Sequence, residues 1–282
     1  MHYLTLPSGA AMPMIGLGTY EQISSSQRHI VDKEILLRAL RLGYRHIDSA
    51  IFYQNHDQIR LALAESGVAR PDVFITTKVY RNKLAYDDVL AECERSLAEL
   101  GTDYLDLYLV HWPNKDTPMA ETFRALGRLV EDGVVRDIGV ANFTRANLRR
   151  ALEASQTPIA VNQVEFHPYL YQKALLQFCR DNNVHLTAYA PIAQTRILDE
   201  PVLQRIGAAH DKSPIQVGLR WLVQKGVAAI PKASSQAHQA ANLDVFDWNL
   251  ADGEMAQIDG IEKHMRLFDW EEAAEFSTDL QP

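Results

Sequence analysis

Cysteine is scarce in this chain of 282 residues, with only Cys93 and Cys179, far apart in sequence and both within segments of helical periodicity. So few thiols exclude a small disulfide-stapled module and suit a reducing compartment, with both groups buried as small hydrophobes and not paired. Basic runs are missing too. Lys and Arg number 28 against 36 Asp and Glu, a net charge of -8, and the longest basic run is the pair Arg149 and Arg150. Nucleic acid is thereby excluded as an expected partner, because binding it needs clustered positive charge to release counterions. The N-terminus lacks a basic segment followed by an apolar stretch, and no run approaches the roughly 18 apolar residues of a membrane span. A soluble, cytoplasmic protein with no membrane partner is expected, so the sequon match Asn142-Phe143-Thr144 carries no weight.

What is present is an ordinary globular balance, 47% hydrophobic and 23% charged, enough for a large core. The length falls within the range of an α/β barrel built as one domain, here residues 1–282. Along the chain a unit recurs in which an amphipathic helix runs into a glycine and an apolar strand follows. Helices over 33–42, 55–66, 87–100 and 119–132 stop at Gly43, Gly67, Gly101 and Gly133. Another, opened by Ser213 with Pro214 in its first turn, stops at Gly226. The strands that follow are 45–48, 73–78, 105–111, 135–141 and 227–230, and 15–18, 159–163 and 184–188 bring the count to eight.

Strands alternating with helices imply parallel pairing and right-handed crossovers. Eight units predict an α/β fold, a closed (β/α)8 TIM barrel, over an open doubly wound sheet. The open sheet would bring a dinucleotide fingerprint, but Gly16-Leu17-Gly18 is followed by Thr19, Tyr20 and Glu21, so its third glycine is missing. Tyr3–Leu6 and Ala11–Pro13 around Pro7-Ser8-Gly9 read as an N-terminal β-hairpin plugging the barrel's N-terminal end. From about Leu267 an aperiodic, acidic C-terminal segment is expected to lie over the surface beside the barrel mouth, with Leu267, Phe268 and Trp270 within reach of it.

In such a barrel the reactive groups lie at the C-terminal ends of strands. Asp48, Lys78, His111, Asn142, Gln163, Tyr189 and Lys232 each end or follow one of the second to eighth strands, with Tyr53 shortly after Asp48. Any one of them has a structural reading as a solvated end or a helix cap; their joint placement at one mouth is what carries a function. Asp48, Tyr53, Lys78 and His111 put together an acid, a cation to tune it and a polar orienter. His46 and the Glu165-Phe166-His167 trio read as packing or hydrogen-bonding residues, and no metal is expected.

The motifs Gly16-Leu17-Gly18-Thr19, Gly43 through Ala50, Tyr53-Gln54-Asn55, Ile75 through Lys78, Asp103 through Pro113, Gly139 through Phe143, Asn162 through Glu165 and Ile230-Pro231-Lys232 run in the order found in the aldo-keto reductases. Over Ile15 to about Asn242 the chain resembles that family, most of all its compact bacterial members of the 2,5-diketo-D-gluconate reductase type. The resemblance implies NADPH-dependent reduction of small carbonyl compounds, aldehydes and reactive ketones, by a monomer, with NADH a weaker cofactor. It implies a catalytic tetrad of Asp48, Tyr53, Lys78 and His111. In it Tyr53 is the general acid, its pKa lowered by Lys78, which Asp48 holds charged, and His111 hydrogen-bonds the carbonyl oxygen.

Cofactor contacts are implied at Gly18, Thr19, Asp48, Asn142, Gln163, Tyr189, the loop Pro191-Ile192-Ala193-Gln194, and Lys232, Ser234, His238 and Asn242. The substrate pocket is expected at Tyr20, Phe52, Tyr80, His111 and Trp112. Three departures from the family pattern bear on the cofactor: Ala141 and Ala233 stand where serine is usual, and His238 where arginine usually grips a 2'-phosphate. Two other readings accompany the reductase: a cofactor-sensing or scaffold protein on the same fold, and a Schiff-base lyase using Lys78 as nucleophile. An Asp48 partner that keeps the amine protonated argues against the lyase.

Overall fold

The structure is a computed structural model and describes residues 1–20, 31–261 and 263–268. An antiparallel hairpin comes first, β1 (Tyr3–Thr5) with β2 (Ala11–Pro13). Eight parallel strands follow: β3 (Leu17–Gly18), β4 (His46–Asp48), β5 (Phe74–Val79), β6 (Leu105–Val110), β7 (Val135–Ala141), β8 (Ile159–Glu165), β9 (His185–Tyr189) and β10 (Ala228–Ala229). Each pairs with its sequence neighbour. The sheet also meets itself: Ala229 N–H donates to the Met14 carbonyl, Gly16 N–H to Ala229 and Gly18 N–H to Pro231, so the first and last strands are joined and the barrel closes.

Between and after the strands run α1 (Lys33–Leu42), α2 (His56–Ser66), α3 (Tyr86–Leu100), α4 (Met119–Glu131), α5 (Arg145–Ala154), α6 (Lys173–Asp181), α7 (Pro201–His210), α8 (Pro214–Gln224), α9 (Gln236–Leu243) and α10 (Asp252–Asp259). Their ends follow local chemistry. The Asp32 carboxylate caps α1 by accepting from Glu34 N–H at 2.8 Å, and Gly43 ends it at φ +103°, a left-handed conformation that costs glycine nothing. Ser213 and Gln216 form a reciprocal capping box at the start of α8. The five helix-stopping glycines expected from the sequence all have positive φ.

Strands β5, β6 and β8 are buried along their whole length, as strands with a core on both faces must be. One core lies between strands and helices. The other fills the barrel, where Leu6 and Met12 of the hairpin pack with Phe74, Leu107, Leu109 and Val161. Ser8 adds its backbone N–H and hydroxyl to the Asp137 carboxylate at the start of β7, so the hairpin closes the N-terminal end. Cys93 and Cys179 are buried on α3 and α6 and form no disulfide. Among the described residues no helix is long and apolar enough to cross a membrane.

The alternation of strand side chains sorts the polar residues of β5. Thr76 and Lys78 share the inner face, Thr76 bonding His46 at 3.1 Å. Thr77 points outward and bonds His56 of α2 at 2.8 Å. The inner face of the C-terminal mouth thus receives Lys78 beside Asp48, the last residue of β4.

Candidate active site

Lys78 is fully buried, and its ammonium donates to Asp48 Oδ1 at 2.6 Å and to the Ser49 carbonyl at 2.7 Å. The other Asp48 oxygen accepts from the Gln163 amide at 2.6 Å. A buried carboxylate and ammonium are tolerable only when paired and hydrogen-bonded, and here both are. Burial still pulls the Lys78 pKa below its ordinary value, with Asp48 opposing. With two of its donors committed and no exposed surface, the amine is not presented to an incoming molecule.

Lys78 Nζ lies 5.1 Å from the centre of the Tyr53 ring. Tyr53 ends a short 3-10 turn, Ile51–Tyr53, that leads into α2. Its hydroxyl is 3.5 Å from His111 Nε2, and the two rings meet edge to face at 5.6 Å. The structure corrects the expectation that Lys78 lowers the pKa of this phenol. The value is raised well above the ordinary phenol range, first by burial and then by the Asp48 carboxylate. Tyr53 senses the loss of water and the carboxylate, and Tyr20 and Tyr189 add smaller contributions in the same direction. His111 is pushed well below the usual imidazole range, by burial first and by Lys78 second. It is therefore neutral, and its Nδ1 has no hydrogen-bond partner.

Around these groups Phe52 stacks on Tyr80 at 4.4 Å, Tyr80 faces His111 edge-on at 5.7 Å, and Tyr20 lies 4.9 Å from Tyr53. Three half-buried aromatic rings, Tyr20, Phe52 and Tyr80, thus border His111 or Tyr53. Trp112, expected in the same lining, is 5% exposed and packs in the main core.

A second chain of contacts runs through the residues expected to meet a cofactor. Asn142, at φ +63°, donates its amide to the His111 carbonyl at 2.9 Å and accepts from the Tyr189 hydroxyl at 2.8 Å. β8 runs two residues beyond Gln163, to Glu165. Past β9 the backbone is unusual: Ala190, Ala193, Gln194 and Thr195 all have positive φ, a costly arrangement for non-glycine residues and one that clusters at binding sites. Pro191 and Ile192 lie within this loop. Lys232, half-buried, and Ser234, exposed, follow β10; the exposed His238 and buried Asn242 lie on α9.

Gly18 has a packing explanation of its own, since a Cβ there would lie 2.5 Å from the Ile230 carbonyl oxygen where the barrel closes. Thr19 bonds the Asp48 carbonyl at 2.8 Å, and Asn55 ties Thr19 to Ser49 with bonds of 3.0 and 2.6 Å. Asn55 and Ser49 thus brace the tetrad, a role not visible in residue type or spacing. Of the C-terminal segment, Leu267 and Phe268 do reach the mouth, with the Phe268 ring 5.6 Å from Tyr189. Trp270 lies outside the described residues.

A family model described as the aldo/keto reductase family matches residues 14–263. The chain is 41% identical over 262 residues to glyoxal reductase of Bacillus subtilis, covering 93% of each. Among solved structures it resembles the aldo-keto reductase MGS-M4 from a Medee basin deep-sea metagenome library, with a TM-score of 0.88 at 34% identity, covering 95% of this chain and 97% of the other. It is also similar to a putative 2,5-diketo-D-gluconic acid reductase B, with a TM-score of 0.85 at 38% identity, covering 93% and 92%.

Proposed function

The chain belongs to the aldo/keto reductase family and is an NAD(P)H-dependent oxidoreductase, and from that premise we propose that it uses NADPH to reduce aldehydes and reactive ketones, small dicarbonyls and keto sugars among them. The observation that carries this reading is the meeting of a protonated Tyr53 hydroxyl with a neutral His111 at 3.5 Å, over the buried Lys78–Asp48 pair and inside a ring of aromatics. The names of two similar proteins, a glyoxal reductase and a putative 2,5-diketo-D-gluconic acid reductase, support the dicarbonyl and keto-sugar part.

The residues present fit a nicotinamide dinucleotide. The amides of Asn142 and Gln163 and the half-buried ring of Tyr189 suit a carboxamide-bearing aromatic ring, with Thr19 and Gly18 beside Asp48. The positive-φ loop over 190–195 suits a pyrophosphate, and Lys232, Ser234, His238 and Asn242 offer a cation, a hydroxyl, an imidazole and an amide to an adenosine phosphate. When bound, the reduced cofactor supplies hydride to the carbonyl carbon.

The chain's own residues supply the rest. Tyr53, kept protonated by burial and by Asp48, is the general acid and transfers its proton to the oxygen of the reduced carbonyl. Neutral His111 donates from Nε2 and fixes the angle of that oxygen. Lys78, held against Asp48, lies 5.1 Å from the centre of the Tyr53 ring and fixes the position of the carboxylate beside it. Tyr20, Phe52 and Tyr80 bound the substrate and exclude water. The enzyme acts as a cytoplasmic monomer of one domain, and its acidic balance disfavours nucleic acid.

Following the absorbance of reduced nicotinamide with methylglyoxal and a panel of aldehydes tests the activity; absence of turnover would favour a cofactor-sensing protein. Tyr53→Phe tests the mechanism: kcat should fall by about 10² to 10⁴, the worth of a positioned general acid, with NADPH affinity nearly unchanged. Equal turnover in that variant would remove Tyr53 as the acid.

A further inference from the structure

Glu165 is a fully buried carboxylate at the barrel mouth that the proposed reaction does not use. It is the last residue of β8. Its Oε1 accepts from His167 Nε2 at 2.9 Å and from the backbone N–H of Leu267 at 2.8 Å. Its Oε2 accepts from the backbone N–H of Phe268 at 3.2 Å, with an Arg266 guanidinium nitrogen at 3.9 Å. Partners within the chain surround both oxygens, and none of the side chain meets solvent, so this group is not presented to a substrate as an acid or base. A carboxylate taken out of water needs such donors, and two of them come from a segment about 100 residues further along the chain.

That segment is tied down upstream as well. Lys263 pairs with Glu200 at 2.6 Å and lies over the Tyr169 ring at 3.8 Å, and Met265 N–H donates to the Tyr169 carbonyl at 2.9 Å. Residues 263–268 therefore form a strap, and Glu165 holds its far end. What the strap carries there is Phe268, whose ring meets Tyr189 edge to face at 5.6 Å and 76°. Tyr189 in turn bonds Asn142, and Asn142 bonds the His111 carbonyl. A continuous series of contacts leads from Glu165 to the site.

We propose that Glu165 is a positioning residue: its carboxylate docks residues 266–268 so that Phe268 braces Tyr189, fixing the wall against which the nicotinamide ring rests. This rests on the reading above that places the cofactor ring at Tyr189. It makes the placement of the C-terminal strap, and not only the residues at the strand ends, a determinant of cofactor affinity.

The test is Glu165→Gln, which keeps size and one acceptor but turns an amide N–H₂ toward backbone N–H donors that need acceptors. Exchange of the Leu267 and Phe268 amides should rise by about 10-fold or more, as expected when a charge-assisted bond is lost. The NADPH dissociation constant should rise by about 5-fold or more, exceeding any change in kcat, and Glu165→Asp should restore part of both. A folded Glu165→Gln protein whose strap amides exchange as before would overturn the proposal. So would faster exchange with unchanged NADPH affinity. Should Glu165→Gln fail to fold, Phe268→Ala removes the brace and leaves the dock. It should weaken NADPH similarly while the Leu267 amide stays protected, and unchanged affinity would again overturn the proposal. If the wild-type protein binds neither NADPH nor NADH, it is the proposed function that fails.

Discussion

The barrel buries a carboxylate against cations at each end, and the two clusters do different things. At the N-terminal end Asp106 accepts from Arg70 at 2.8 Å, from Arg136 at 2.9 Å and from the Ile75 N–H at 2.9 Å. Both guanidiniums lie over the Tyr104 ring, at 4.1 and 4.0 Å, and both keep part of their surface in water, 19% and 42%. At the C-terminal end Asp48 holds a single ammonium with no exposed surface, beside a half-buried phenol and a neutral imidazole. The first cluster pins together a turn and two strands. The second keeps titratable groups away from their ordinary protonation behaviour at an accessible rim. A buried ion pair is thus no mark of an active site by itself; the company of displaced titratable groups is.

Exchanging the cation or carboxylate at each end should separate the two roles most sharply. Lys78→Met leaves Asp48 buried without its cation, so unfolding free energy should fall by about 3–5 kcal/mol and turnover by about 10² or more. Asp106→Asn should cost stability of the same order, about 3 kcal/mol, while kcat stays within about 2-fold. Urea denaturation and steady-state rates on both variants make the comparison. Turnover that survives in Lys78→Met, or vanishes in a folded Asp106→Asn, would erase the distinction. Borohydride with substrate should trap no imine on the wild-type protein, since Lys78 is committed to Asp48 and Ser49; a trapped adduct would revive the lyase chemistry.

A smaller effect comes from histidines. His46 inside the barrel, His56 between α2 and α3, and His111 at the mouth all have pKa values lowered by burial. Above about pH 6.5 folded and unfolded chains are both neutral at these positions, so stability is flat with respect to them. As pH falls below that value the unfolded chain takes up protons while the folded one does not, and stability is lost by up to about 1.4 kcal/mol per pH unit for each histidine. Thermal melts from pH 7.5 to 5.5 should show the decline. His56→Gln should make it shallower and spare turnover, because His56 bonds Thr77 and Glu99 on the outer face. His111→Gln should make it shallower and lose turnover. A melt that does not change with pH would contradict the burial argument for all three.

Much of the fold was legible because its signals are local. The stops at Gly43 and Gly101, the Ser213-Pro214 start and the apolar strands all depend on neighbours within a few residues, and the eight strands, the closed barrel and the hairpin plug follow from them. The juxtaposition of Asp48, Lys78, Tyr53 and His111 could be anticipated because strand ends in a parallel barrel share one rim. What could not be read is set by contacts across the chain. The direction of the Tyr53 shift is set by burial first and by the nearby Asp48 carboxylate second, and residue types carry neither. The packing of Gly18 on Ile230, the burial of Trp112 and the Glu165 dock for residues 267 and 268 join segments far apart in sequence. Only the assembled barrel brings them together.

The smallest expected effect lies at the proposed phosphate end of the cofactor site. Lys232 and Ser234 offer a cation and a hydroxyl, so NADPH should be preferred over NADH. His238, exposed in the first turn of α9, gives its backbone N–H to the Ser235 hydroxyl at 3.2 Å, which leaves its imidazole to act as a side-chain partner. An imidazole lacks the planar fork with which arginine binds phosphate through two parallel bonds, and it does not hold a permanent charge. Preference should therefore be modest. His238→Arg should raise the ratio of kcat/KM for NADPH over NADH by about 5- to 50-fold, the worth of about 1–2.3 kcal/mol. The change should shrink at high salt, as screening predicts for an exposed ionic contact. Measuring both cofactors on both proteins at two salt concentrations decides the matter. A ratio that arginine leaves unmoved, or an outright preference of the wild-type protein for NADH, would take the phosphate away from α9 and leave Lys232 without its proposed role.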